Sequence, residues 1–174
     1  MINDSDLPAS QRRGEFDGTY GDTSGRLSGH QKGGDQNLTL DALIGGSAYG
    51  DANQMSGDAY GGGDTLTGGF NAINNLFGDA NDMNGNASGG DDTLIGGSSA
   101  TNYWYGDANQ MSGNAHGGDD TLTGGFQAII NDLFGDANDM NGNASGGNDT
   151  LIACVLNGET RTWRSRIRYP IIAD

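Results

Sequence analysis

The chain has 174 residues, of which 33 are glycine and 33% are hydrophobic, and its formal net charge is −15. This composition excludes an ordinary compact core of large apolar side chains. All eight Lys and Arg residues lie before residue 33 or after residue 158, and the stretch between holds sixteen aspartates. Such a stretch excludes a nucleic-acid partner, and no apolar run approaches the ~20 residues of a membrane span.

The first segment, residues 1–32, is polar and predicts an irregular N-terminal segment or cap. It contains a trace of the pattern that follows. The spacing between Asp22 and Asp35 is the same as the spacing between Asp51 and Asp64. We therefore expect a decayed first copy of a repeat in front of the regular ones.

Residues 33–152 form a repeat region in which an aromatic-Gly-Asp phrase returns four times and closes each time on Asp-Thr-Leu. The glycines of that phrase are evenly spaced to within a single residue: Gly50, Gly78, Gly106 and Gly135. A fixed period of this length is typical of solenoids. Asp-Thr-Leu and the segment before each aromatic-Gly-Asp predict two short strands per unit, bounded by turn-forming residues. The frequent glycines exclude helix. We predict an all-β fold, a parallel β-roll or β-solenoid with coils of about 28 residues.

Stacked coils would bring equivalent apolar side chains together even though no single copy could bury them. The pattern predicts a core column of leucines and a second column of methionines: Leu66, Leu94, Leu122 and Leu151, and Met55, Met83, Met111 and Met140. It also predicts an aromatic ladder that points away from Leu76 and Leu133. The members of that ladder are Tyr20, Tyr49, Phe77, Tyr105 and Phe134.

Stacking also aligns the aspartates in two columns, Asp64, Asp92, Asp120 and Asp149, and Asp51, Asp79, Asp107 and Asp136. Carboxylates about 5 Å apart repel by about 0.9 kcal/mol at a dielectric constant of 80 and by about 3.5 kcal/mol at 20. A hard divalent cation between coils reverses the sign of that energy. Carboxylate oxygens and the carbonyls of glycine-rich turns are the ligands that calcium takes. We therefore predict calcium as the bound ion.

The segment Gly62-Gly-Asp-Thr-Leu-Thr-Gly-Gly69 and its counterparts resemble the RTX, or haemolysin-type, calcium-binding repeat Gly-Gly-x-Gly-x-Asp-x-U-x, in which U is a large apolar residue. The resemblance implies a calcium-binding turn followed by a strand of a parallel β-roll. By position it makes Asp64, Asp92, Asp120 and Asp149 the ligand aspartates and matches the fourth-place glycine to Gly62, Gly90, Gly118 and Gly147.

The repeat departs from that family in two ways. The leading Gly-Gly is missing before each ligand aspartate, and Asn74, Asn102 and Asn131 stand where the family has an aspartate. We therefore expect weaker calcium binding on the asparagine side. In the opening phrase, Asp51, Asp79, Asp107 and Asp136 are expected to be secondary ligands or turn residues.

The leading functional prediction is a calcium-stabilised structural or binding module of a secreted RTX-like protein, without enzymatic activity. One alternative is an adhesive or ice-binding surface. The repeated threonines favour it, whereas the alternation of Thr-Leu-Thr with Thr-Leu-Ile argues against it. Another is a fragment of a larger secreted RTX enzyme or toxin.

Residues 153–174 break the pattern as an atypical basic tail, which predicts either a cap or an out-of-frame end. The resemblance to RTX repeats implies type I export, and a first segment without the hydrophobic stretch of a secretory signal fits it, although the tail does not resemble the usual C-terminal signal. Self-association stays open.

Overall fold

The computed structural model describes residues 18–152 and 164–165, and within those residues the chain contains strands and no helix. The strands are β1 (Thr19–Tyr20), β2 (Thr23–Gly29), β3 (Asn37–Thr39), β4 (Gly45–Tyr49), β5 (Ala52–Gly57), β6 (Thr65–Thr67), β7 (Ile73–Phe77), β8 (Ala80–Met83), β9 (Thr93–Ile95), β10 (Thr101–Tyr105), β11 (Ala108–Met111), β12 (Thr121–Thr123), β13 (Ile130–Phe134), β14 (Ala137–Met140), β15 (Thr150–Ile152) and β16 (Arg164–Ser165). In the part of the chain covered by these strands and their connections, no helix could span a membrane.

The strands form three parallel sheets that run along one solenoid. The first sheet has the order β1-β4-β7-β10-β13-β16, the second β2-β5-β8-β11-β14 and the third β3-β6-β9-β12-β15. Three consecutive strands, one from each sheet, make one coil, so β1–β3 form coil 1 and β13–β15 form coil 5. Equivalent residues pair in register, as in Thr65 with Thr93 and Thr93 with Thr121. The predicted all-β solenoid is confirmed, and its coils repeat at the predicted period.

Each coil has three strands, one more than the two predicted from its sequence. The additional strand is the second-sheet strand, which covers Ala52–Gly57 in coil 2. Its segment resembles a loop because its inward residues, Ala52 and Met55, are three positions apart. That spacing breaks the alternation expected of a half-buried strand.

The solenoid begins before residue 33. Thr19 pairs with Ala48, and Leu27 pairs with Met55. The expectation of an irregular segment over residues 1–32 is therefore wrong for β1 and β2, which form the expected first copy of the repeat with its corner at Asp22. The rest of that expectation concerns residues 1–17, which lie outside the described residues, as does nearly all of the predicted tail. From that tail, β16 pairs with β13.

Two separate hydrophobic clusters fill the interior. One joins the leucines of the first and third sheets with Trp104, and the other joins alanines and methionines around the second sheet. Leu66, Leu94 and Leu122 are fully buried, and Leu151 packs partly buried against them. In the other cluster, Met55, Met83 and Met111 are buried, and Met140 packs partly buried against them. Both predicted core columns are confirmed.

The predicted aromatic ladder is also confirmed. Its five rings stack along the solenoid with centroids 4.7 to 5.0 Å apart and interplanar angles of 6° to 14°. None of these rings belongs to the leucine cluster, in agreement with the expected direction. The ladder adds stacking energy at every step between coils.

Candidate cation site in the solenoid interior

The first aspartate column lies at the corner between the first and second sheets. Asp51, Asp79 and Asp107 are fully buried, and their carboxylates point across the interior of their own coil. Asp79 Oδ1 accepts a hydrogen bond of 3.0 Å from the N–H of Gly90, and Asp107 Oδ1 accepts one of 2.7 Å from Gly118. The bonds from Gly62 to Asp51 and from Gly147 to Asp136 repeat this contact. The predicted glycines thus hold the first column through their backbone N–H groups.

The second column lies just before the third sheet and links one coil to the next. Asp92 Oδ1 accepts a hydrogen bond of 2.7 Å from the N–H of Asp64, and Asp120 Oδ1 accepts one of 2.8 Å from Asp92. The N–H of Asp120 donates in the same way to Asp149 Oδ1. At the beginning of the column, the N–H of Gln36 donates to Asp64 Oδ1. Asp64, Asp92 and Asp120 are 1 to 2% exposed.

The two columns form a polar layer between the hydrophobic clusters. Asp51 lies in the chain between Ala48 of the leucine cluster and Ala52 of the methionine cluster. Asp64 lies at the return from Ala59 to Leu66. Each coil therefore crosses from one cluster to the other twice, and both crossings place a carboxylate inside.

One oxygen of each buried carboxylate has no hydrogen-bond partner. Six such oxygens, three in each column, are fully shielded from solvent: Asp51 Oδ1, Asp79 Oδ2 and Asp107 Oδ2, and Asp64 Oδ2, Asp92 Oδ2 and Asp120 Oδ2. A buried carboxylate oxygen without a partner is costly, because the group loses its hydration and gains nothing in return. These oxygens require a proton or a cation.

Glycines make room for these oxygens and bring backbone carbonyls beside them. A Cβ on Gly50 would clash with both Asp64 Oδ2 and the carbonyl oxygen of Gly78. The same pair of clashes recurs at Gly78 and at Gly106. Carboxylate and carbonyl oxygens of adjacent coils thus converge on one small space, repeated from coil to coil.

The carboxylates of successive coils in the first column also approach each other. A Cβ on Gly89 would meet Asp107 Oδ1 and would lie 2.6 Å from Asp79 Oδ2. Gly61 stands in the same relation to Asp79 and Asp51. The interior therefore offers oxygen ligands of the kinds that calcium takes, which is the fit required of a calcium site.

Burial is the main cause of raised pKa values throughout both columns. It raises the pKa of Asp51 to about 8 and that of Asp64 to about 7, with further contributions from nearby carboxylates. The pKa of Asp120 rises to about 8 for the same reason, in part because of Asp149. The pKa values of Asp79, Asp92 and Asp107 are raised well above the ordinary range, again chiefly by burial.

No basic side chain neutralises this layer in the part of the chain that the structure describes. Within those residues, His30 Nδ1 lies 3.6 Å from Asp58 Oδ2, a contact that is on the surface and outside the layer. Among the same residues, no group of three or more His, Cys, Asp or Glu side chains is arranged as a metal cage. A cation in the layer would therefore take backbone carbonyls beside its carboxylates.

The predicted asparagine side has a different structure. Asn74 donates through Nδ2 to Asn102 Oδ1 at 2.9 Å, and Asn102 donates to Asn131 Oδ1 at 2.7 Å. Asn74 also bonds the backbone of Gly69 in both directions. This side of the coil is thus a buried amide ladder whose members bond one another. Its signal in the sequence is an asparagine that recurs at the second position of the first-sheet strand in coils 3 to 5.

No family model matches this chain, and no curated protein or solved structure matches it either. The resemblance to RTX repeats therefore rests on the motif alone.

Proposed function

We propose that the chain is a calcium-binding β-solenoid in which calcium ions enter the interior aspartate layer and stabilise the stack of coils. The observation that carries the proposal is the set of six buried carboxylate oxygens without partners, aligned in two columns. The role is structural, as a module of a secreted RTX-like protein, and not catalytic.

Each middle coil contributes a facing pair to the layer. Asp79 pairs in this way with Asp92 and Asp107 with Asp120, and after burial each of these neighbours further raises the pKa of the carboxyl that faces it. Calcium tolerates six to eight oxygens in irregular geometry, which suits two carboxylates completed by backbone carbonyls. Magnesium demands a stricter octahedron and keeps its waters, so it suits this interior less well.

The proposal also includes an extracellular location. Sites of extracellular modules have dissociation constants of about 0.1 to 1 mM. At a dissociation constant of about 0.1 mM, about 1 mM calcium stabilises a fold by about 1.4 kcal/mol per site, and sub-micromolar calcium adds almost nothing. Several such sites would make folding depend on export.

The test is a matched pair of isosteric variants at adjacent positions, Asp92→Asn and Asp91→Asn. Asp92 is buried in the layer, whereas Asp91 is exposed and accepts a surface hydrogen bond from Asp119. An amide at residue 92 can still accept the hydrogen bond from Asp64, so the strand contact is kept. Asp92→Asn should lower the calcium stoichiometry or weaken binding at least tenfold in titration calorimetry, and Asp91→Asn should bind as the parent does.

Circular dichroism of the parent chain in EGTA and then in calcium completes the test. Strand signal should grow, or the melting temperature should rise, when calcium is added. The proposal fails if calcium produces neither heat nor a change in stability, because protons alone would then neutralise the layer.

The threonine surface keeps a second candidate function open. The third sheet aligns Thr65, Thr93, Thr121 and Thr150 in an unbroken outward column. The neighbouring column is interrupted by Ile95 and Ile152. An ice-binding role predicts thermal hysteresis of the calcium-loaded chain, and its absence would remove this candidate.

A further inference from the structure

One edge of the solenoid carries large apolar side chains that face solvent. It is formed by the corners that lead from the third sheet of one coil to the first sheet of the next. Seven side chains there are 43 to 71% exposed, and we call them the apolar edge: Leu43, Ile44, Phe70, Ile73, Phe126, Ile129 and Ile130.

The corners superpose from coil to coil, so these side chains form one stripe. Leu43 N–H donates to Phe70 O at 2.8 Å, and Ser99 N–H donates to Phe126 O at 2.9 Å. Ile73, Thr101 and Ile130 are paired in register. The stripe is interrupted once, by the corner of residues 98–101, which reads Ser-Ser-Ala-Thr.

Each of the four corners holds one residue in the left-handed region that side chains with a Cβ disfavour, so the strain belongs to the corner itself. These residues are Leu43 (φ 67°), Asn71 (51°), Ser99 (55°) and Gln127 (55°). At Leu43 the strained backbone holds an apolar side chain in water, which is a second cost. Contact with a partner would offset that second cost by removing the side chain from water.

The size of the apolar edge matches that of a protein interface. The two corners on either side of residues 98–101 carry five of these side chains, which together expose on the order of 500 Å², within the roughly 300–600 Å² of the largest patch on a typical monomer. A standard interface buries about 800 Å² on each partner. A little over half of such an interface is apolar, so a partner that covered these two corners and the polar surface around them would meet the area that a stable dimer needs.

We propose that a second copy of this chain covers the apolar edge, related by a two-fold axis at the Ser98–Thr101 corner. Phe70 and Phe126 lie one coil to either side of that corner. A two-fold rotation exchanges the two positions, so that Phe70 of one copy meets Phe126 of the other. The small side chains of residues 98–101, which we call the serine corner, lie between these two contacts. Such a closed, self-complementary contact is the commonest form of homodimer.

Charge supports a second copy as the occupant. The chain is strongly acidic, yet the corners that make the edge contain one charged residue, Asp41. Two acidic copies therefore approach here with the least repulsion. A basic partner would instead be attracted to the aspartate-bearing faces.

The test transplants the serine corner, which the fold already accepts, onto its neighbours. The variant Phe70→Ser, Ile73→Thr, Phe126→Ser, Ile130→Thr copies Ser98 and Thr101 at the aligned positions. The control is Ile95→Thr, an exposed isoleucine on the third sheet whose aligned neighbours are Thr67 and Thr123. Sedimentation equilibrium would be run in whichever calcium condition gives native circular dichroism for all three chains.

The parent and Ile95→Thr should dimerise with a micromolar dissociation constant, and the four-residue variant should bind itself at least 100-fold more weakly, as removal of central aromatic anchors predicts. In a Cys154→Ser background, Ser99→Cys should form an intermolecular disulfide across the two-fold axis. A monomeric parent, an undiminished dimer in the variant, or the absence of the cross-link in a dimeric chain would each overturn the proposal. Binding of a monomeric parent to neutral lipid vesicles would show that a membrane is the occupant instead.

Discussion

Raising the pH in the absence of calcium should unfold this protein. Buried carboxyls in the aspartate layer have raised pKa values, so the folded state holds protons where the unfolded chain has lost them. Their stabilising contribution is fully present below the unfolded pKa near 3.9 and is lost as the pH rises through the folded values of about 7 to 8. Stability should therefore fall between about pH 4 and pH 8.

Asp64 sets the scale of the effect. It is 1% exposed, and burial raises its pKa from 3.8 to about 7. A difference of that size between the folded and unfolded pKa corresponds to about 4 kcal/mol above pH 7. Because a domain has about 5–15 kcal/mol of stability in total, two or three such groups suffice to unfold the chain near pH 8.

The assay is urea denaturation followed by circular dichroism at a series of pH values, in EGTA and in calcium. The calcium series should be much flatter, because the ion replaces the protons of the layer. Adding calcium near pH 6 should accordingly release protons, measurable in a pH-stat. Stability in EGTA that rises with pH, or calcium uptake without proton release, would refute the reasoning.

Three further substitutions test the rest of the interior. Asn102→Ala should cost about 1–3 kcal/mol in urea denaturation, because it strands the neighbouring amides of the ladder; an unchanged midpoint would show that the ladder contributes nothing. Gly106→Ala should prevent folding, since its Cβ would clash with the Gly135 carbonyl and Asp120, whereas Gly25→Ala, which meets only Thr23 Oγ1 at 3.4 Å, should give normal yield and circular dichroism. Met111→Ala should lower the free energy of unfolding by about 2–5 kcal/mol, and a loss below about 1 kcal/mol would contradict its place in the buried stack.

Most of the fold can be predicted from the period of the repeat. Because residues at the same place in each unit must stack, the leucine, methionine and aromatic columns follow from the sequence without knowledge of the coil shape. Turn-forming residues on either side predict Thr65–Thr67 and its counterparts as short strands. Nothing in the pattern predicts a strand at Ala52–Gly57, because its inward residues are three apart and do not alternate.

The aspartate columns were predictable as columns, but not as buried ones. Gly-Asp followed by Ala-Asn is typical of a surface turn, and nothing local indicates that the Asp51 side chain points inward. Its direction depends on the second-sheet strand, which begins at Ala52 and so places a corner at Asp51. The asparagines Asn74, Asn102 and Asn131 are likewise predictable as a column, but their burial and their amide-to-amide hydrogen bonds are not.

Because the serine corner lies between two apolar corners, the surface and the interior of this protein have different repeat lengths. The layer of aspartates repeats with every coil, whereas Phe70 and Phe126 mark every second one. Removing a single coil would leave the interior matched but would bring two like corners together and so break their alternation. Only a change by two coils preserves both the interior layer and the alternation of the corners. This solenoid can therefore lengthen or shorten only by whole pairs of coils.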